Sequence, residues 1–183
     1  MTDAELEASD LAAIQLLTDK EAIRECVHRY ARGIDRHDEQ ILRSVFHAHG
    51  VDNHGNVVLG REAFVKWANE WHENVSVHHL HGMTSHISDV VGDEAHAVTY
   101  VLFALCRKDG KTVHTGGGRY VDRLERQNGH WRIVLRRLVI DWRMNSSAPA
   151  AELKRLAQHP QGTWDRSDLS YARLSIDPAA GAV

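Results

Sequence analysis

Cysteine is scarce in this sequence: Cys26 and Cys106 are the only two in 183 residues. Each lies in an apolar stretch, so both read as buried thiols of a reducing compartment. There is no Cys-x-x-Cys and no His-Glu-x-x-His, the spacings that hold structural and hydrolytic zinc. No apolar run is long enough to cross a bilayer. The first residues, Met1-Thr-Asp-Ala-Glu-Leu-Glu7, are acidic and lack the apolar stretch of a signal peptide, which points to the cytoplasm. The formal net charge is −3, with Lys and Arg scattered along the chain. Neither a nucleic acid nor a membrane is therefore expected as a partner.

Histidine, by contrast, is abundant, with 14 residues. The densest run is His78-His79-Leu80-His81, at the start of a β-type stretch. On a strand His79 and His81 share a face and His78 points away. No third ligand at metal-binding spacing accompanies them, so no metal is expected.

Periodicity divides the chain in two. Residues 10–17 read as a short helix, and Thr18-Asp-Lys-Glu21 has the spacing of a capping box that would start a second. That second helix carries Ile23, Cys26, Val27, Tyr30 and Ile34 at three- and four-residue steps. It ends at Asp35, a carboxylate opposed to the helix dipole and so not placed there for helix stability. Asp38 is positioned to cap a short helix with Ile41, Leu42, Val45 and Phe46 inward. Residues 47–59 read as loop and weak strand. A third helix from Gly60 sets Phe64, Trp67, Ala68 and Trp71 on one side.

From residue 75 the period becomes two. Four long strands are expected over 75–91, 95–107, 112–126 and 131–143. They are joined by turns at Val91-Gly-Asp-Glu94, Lys108-Asp-Gly-Lys111 and Gln127-Asn-Gly-His130. On the first strand, Val77, His79, His81, Met83, Ser85, Ile87 and Val91 are expected on one face. Gly116-Gly117-Gly118 marks a bend or a close approach of backbone. Helices followed by a meander of long strands give an α+β fold: a cone-shaped barrel of N-terminal helices on a strongly curved antiparallel sheet. Residues 1–145 form this domain. Residues 146–183 form a C-terminal extension, with a linker at Ser146-Ser-Ala-Pro149, a helix over 150–158 and an irregular tail that includes Trp164 and Tyr171. Disorder is expected from Pro178 onward.

Several pieces of this layout resemble the SnoaL-like branch of the nuclear transport factor 2-like superfamily over residues 15–145. They are Ala22-Ile-Arg24 with Tyr30-Ala-Arg-Gly-Ile-Asp35, the His81 strand running into Val91-Gly-Asp-Glu-Ala95, and Gly118-Arg-Tyr-Val-Asp122 with Asn128-Gly-His-Trp131-Arg-Ile133 and Arg136. The resemblance implies the cone-shaped fold. Scytalone dehydratase, bile-acid 7α-dehydratase and hexachlorocyclohexane dehydrochlorinase of that branch share a buried Asp–His pair, which maps onto Asp35 and His81. Neighbouring His78 and His79 leave the histidine register open. Tyr30 matches the dehydratases' tyrosine, and Arg136 matches an arginine of the dehydrochlorinase pattern.

The chemistry so implied is a cofactor-independent elimination. His81 acts as base, Asp35 orients it, and Tyr30 donates to the departing oxygen. Trp67, Trp71, Met83, Tyr100 and Phe103 are the expected walls of a pocket for a hydrophobic substrate such as a steroid or polyketide, with Arg136 as a further contact. An isomerase or cyclase of the same fold is the alternative, as is a non-catalytic binding or assembly module. Strands apolar on both faces, with Val98, Leu102 and Val134, predict a homo-oligomer, dimer or trimer.

Overall fold

The computed structural model describes residues 3–147 and 158–172. Helix α1 runs unbroken over Asp3–Asp35, 33 residues. The start expected at Thr18 is absent: its Oγ1 donates to the Ile14 carbonyl at 2.9 Å, an intrahelical bond. The preceding Leu-Ala-Ala-Ile-Gln-Leu-Leu segment consists mostly of good helix formers, so the helix propagates through the capping-box spacing instead of beginning at it. Ile23, Val27, Tyr30 and Ile34 form the buried stripe, while Leu11, Ile14 and Leu17 are exposed. Helix α2 (Glu39–Val45) follows a tight turn and is capped by Asp38, whose carboxylate accepts from Ile41 N. Gly33 permits this junction, because a Cβ there would press on the backbone of Leu42. Helix α3 (Arg61–Val75) buries Phe64, Val65, Ala68 and His72.

Six strands make one open sheet: β1 (Phe46–Asn53), β2 (Val58–Gly60), β3 (Ser76–Val91), β4 (Glu94–Arg107), β5 (Thr112–Gln127) and β6 (His130–Ser147). Their order is β2-β1-β6-β5-β4-β3, with β2 and β3 as edges. The β3–β6 meander matches the sequence pattern, and its turns use Gly92, Gly110, Asn128 and Gly129 at positive φ. Strands β1 and β2 replace the expected loop over residues 47–59. Strand β1 runs parallel to β6, so the sheet is mixed and not purely antiparallel.

Long strands of this kind coil, and irregularities sharpen the bend. One lies between Gly117 and Gly118, where β5 meets β6. Two more lie in β3, at Ser76/His78 and Met83/His86. The second of these shifts the alternation. His79, His81 and Met83 face inward as expected, but beyond the bulge His86, Ser88 and Val90 take that side, leaving Ile87 and Val91 exposed. Val77, before the first irregularity completes, is exposed as well.

The helices close one side of the curved sheet, and the core lies between. Cys26 is buried there with its thiol pushed up to about 12, chiefly by burial, whereas Cys106 is only half-buried. No described helix is long and apolar enough to cross a membrane. The helix expected over 150–158 and the tail from Pro178 fall outside the described residues, apart from Gln158. The stretch 158–172 is irregular except for a single turn at Leu169–Tyr171. It is pinned to the C-terminal end of α1: Arg36 pairs with Asp168 at 2.8 Å, and Tyr171 donates to Asp38 at 2.7 Å.

Candidate active site

Asp35 closes the last turn of α1, where the stripe of that helix meets the inner face of β3. Its two oxygens do different work. Oδ2 accepts the backbone N–H of His81 at 2.9 Å, and Oδ1 bonds Nδ1 of the His81 ring at 2.7 Å. One carboxylate therefore fixes both the strand and the orientation of the ring. With Nδ1–H donating to Asp35, Nε2 is the free basic nitrogen, and the ring lines the central cavity.

His79 takes the other available role. It lies 3.8 Å from Asp35, too far for a hydrogen bond, and its Nε2 bonds the Ile34 carbonyl at 3.1 Å. Its ring stacks on His72 at 4.2 Å and lies beside His37 and Trp164. The Trp164 indole stacks on His37 at 4.2 Å, covering this group from behind. Burial drives the His79 pKa down to about 4. Burial, with the nearby His79 and His81, drives His72 to about 2. These rings are neutral at ordinary pH, and they pack rather than titrate.

Tyr30 reaches the cavity from α1, one turn before Asp35. It stacks on Phe64 and meets Phe46 and Tyr120 edge-on. Burial, then the charge interactions with Tyr120 and Asp52, hold its hydroxyl proton more tightly than in a free phenol. Arg136 lies below, its guanidinium 4.0 Å from the Tyr30 ring centre and 4.1 Å from that of Tyr120. It is bound through two nitrogens to Asp122 at 2.8 and 2.6 Å, and both side chains are fully buried. Burial alone would lower the pKa of Arg136, but the Asp122 carboxylate outweighs it.

The cavity has a volume of about 480 Å³. Tyr30 and Ile34 of α1 line it, together with Phe64, Trp67, Ala68, Trp71 and His72 of α3. The sheet contributes His81, Phe103, Leu105, Arg107, His114 and Arg143, and the β1–β2 segment adds His54, Asn56 and Val57. Of the walls expected from sequence, Trp67, Trp71 and Phe103 are present. Tyr100 is not: it lies on β4 between inward-facing Thr99 and Val101 and points outward, half-exposed. Met83 packs against the core and does not line the cavity. Arg136 sits beneath the floor, held by Asp122, and is not on the wall.

Sequence reasoning missed His54, His72, Arg107, His114 and Arg143. His72 follows Ala68 by one turn on the same α3 face, a signal that the period of 3.6 carries. His54 was obscured because Asp52-Asn-His-Gly reads as a turn. Among the described residues, one group has donor atoms close enough to hold a metal ion: His47, His49 and Glu125. None of the three lines the cavity, and Arg123 already pairs with Glu125 at 2.8 Å.

The model of the SnoaL-like domain matches residues 15–137. No curated protein matches the chain. Among solved structures, a protein of unknown function from Mycobacterium tuberculosis is 29% identical with a TM-score of 0.61, covering 73% of this chain and 75% of its own. A candidate scytalone dehydratase from Novosphingobium aromaticivorans is 19% identical with a TM-score of 0.66, covering 75% and 93%. A hexachlorocyclohexane dehydrochlorinase of type 2 is 18% identical with a TM-score of 0.69, covering 75% and 98%. At such identities the last two share the fold.

Proposed function

Because this chain belongs to the SnoaL-like domain family, we propose that it is a small-molecule-converting enzyme, a lyase that eliminates water from a hydrophobic substrate. One observation carries the reading: Asp35 braces both the backbone and the Nδ1 side of the His81 ring, and that ring lines the cavity. Nε2 removes a proton from carbon beside an electron-withdrawing group. The Asp35 carboxylate stabilises the imidazolium that forms. Tyr30, kept protonated by burial, donates a hydrogen bond to the substrate oxygen that gains negative charge. A positioned base of this kind contributes roughly 10²–10⁴ in rate. The reaction so written needs no cofactor.

The walls support a substrate with an apolar, ring-containing body. Trp67, Trp71, Phe64 and Phe103 offer flat apolar faces, and the cavity volume falls within the range of small-molecule sites. Arg107 and Arg143 border the same space and suit an acidic or carbonyl substituent. Steroid- and polyketide-like hydroxyketones meet both demands.

The test is mass analysis of products from a panel of hydroxysteroids and β-hydroxyketones, using wild type, Asp35→Asn and His81→Gln. Loss of one water with wild type, reduced by roughly 10²-fold or more in both variants, is expected. Undiminished turnover in both variants sinks the proposal. A product of unchanged mass assigns the same groups to an isomerase or cyclase, and tight binding without turnover makes the cavity a binding site.

A further inference from the structure

Elimination of water moves two protons, one off carbon and one onto the departing oxygen. His81 accounts for the first. Tyr30 is a poor source for the second, since burial among aromatic rings makes it reluctant to give up its proton outright. Another group faces the same cavity. Strand β1 carries Asp52, and His54 stands two residues later, just past the strand's end at Asn53. The Asp52 side chain has no exposure at all, and its Oδ1 bonds Nδ1 of His54. The His54 backbone N–H is held by the Val57 carbonyl at 2.8 Å, which closes the turn into β2. The ring rests between Phe64 and Trp67, at 5.6 and 5.7 Å between ring centres.

That bond orients His54 as Asp35 orients His81. Nδ1–H points to the carboxylate, and Nε2 has no protein partner among the described residues. The ring lines the cavity with a side-chain exposure of 19%. A fully buried carboxylate such as that of Asp52 is costly to keep charged without a partner. Its Oδ2 has no hydrogen-bond partner, and neither has Nη1 of the buried Arg136, whose other two guanidinium nitrogens hold Asp122. The His54 ring is the side chain that hydrogen-bonds this carboxylate.

We propose that Asp52 and His54 form a second carboxylate–imidazole pair of the same site, and that His54 is the general acid of the elimination. This rests on the reading of His81 as base. The substrate's C–H electron pair becomes the new double bond as Nε2 of His81 takes the proton. The C–O electron pair leaves with oxygen, which takes the proton from Nε2 of His54 and departs as water. His81 then holds the extra proton and His54 lacks one, and exchange with solvent resets both. Asp52 is a positioning residue. The two imidazoles come from the edge strand β3 and from the turn between β1 and β2 at the opposite edge, so curvature of the sheet brings them to one cavity.

The test compares leaving groups that need a proton with leaving groups that do not. The probes are a β-hydroxy aryl ketone and the β-chloro ketone of the same skeleton. His54→Gln is expected to lose about 10²-fold on the hydroxy ketone, with a loss at least about tenfold smaller on the chloro ketone, since chloride leaves unprotonated. It is also expected to lose the alkaline limb of the hydroxy-ketone pH profile. Asp52→Asn should reproduce the pattern more weakly, with thermal melts confirming that both variants fold. His81→Gln should lose both activities alike. Equal losses of His54→Gln on the two ketones, or none on either, overturn the proposal. Retained activity of His81→Gln overturns the base instead. A third arm needs no turnover: wild type is expected to bind a nitrophenol dye as the phenolate, seen by absorbance, and His54→Gln to lose that preference. A dye bound equally as phenolate by wild type and His54→Gln overturns the proposal even if neither ketone reacts.

Discussion

His79 and His81 stand two residues apart on one strand face, yet their environments diverge. His81 borders the cavity, whereas His79 is packed among rings and bonded to the Ile34 carbonyl. Replacing His79 by Gln should therefore reduce activity far less than replacing His81, in kcat measured on folded protein. Its effect on stability follows from its titration. His79 is pushed down to about 4 and His72 to about 2, both chiefly by burial, against about 6.5 in the unfolded chain. The unfolded state thus takes up protons first as pH falls. The stability they contribute is complete above about pH 6.5 and is lost as pH falls toward 4, on the order of 3 kcal/mol for His79. The melting temperature should fall between pH 7 and pH 5, and His79→Gln should flatten that fall. The Asp122–Arg136 pair presents the opposite case, two charges fully buried and joined by two hydrogen bonds. Asp122→Asn strands a buried guanidinium and should cost about 3–5 kcal/mol, read from the urea midpoint.

At the scale of elements, the hairpins were the most legible part of the chain, because turn chemistry is local. Gly92-Asp93 and Asn128-Gly129 join their strands as the dipeptides predict. Strand β1 was not legible. Its His, Gly and Asn residues look like loop, and it becomes a strand through a parallel pairing to β6 more than 80 residues away. The Gly116-Gly117-Gly118 run was legible as a close approach, but not what approaches. A Cβ on Gly118 would collide with the Val139 carbonyl, one on Gly117 with the Trp142 indole, and one on Gly116 with the Phe103 ring. Backbone yields less than side chain. Gly118→Ala should therefore destabilise by about 2–4 kcal/mol, while Gly82→Ala, which meets only ordinary contact, should stay within about 0.5 kcal/mol. Denaturant midpoints of the two variants check the contrast.

At the scale of the molecule, the curved sheet has an inner face that packs on the helices and lines the cavity, and a partly apolar outer one. Leu80, Tyr100, Leu102, Trp142 and Met144 are all exposed. Such surface on one side of a sheet favours association. The protein is expected to elute in light-scattering chromatography at a multiple of its 20.6 kDa chain mass, and Leu102→Glu to shift it toward a single chain. A monomer at all concentrations would show that this face stays open to water.

The amino-acid sequence by itself determined the α-helical stripe of α1, the cap of α2, the three hairpins of the meander and the placement of Asp35 at a helix end. Each depends on residues within a few positions of one another. Only the tertiary structure decided that Asp35 takes His81 and not His79, that Tyr100 points outward while Arg136 is buried against Asp122, and that His54, held by Asp52, reaches the cavity. Those outcomes turn on bulges, strand curvature and a parallel pairing, which arise from contacts between distant segments and leave no local periodicity to read.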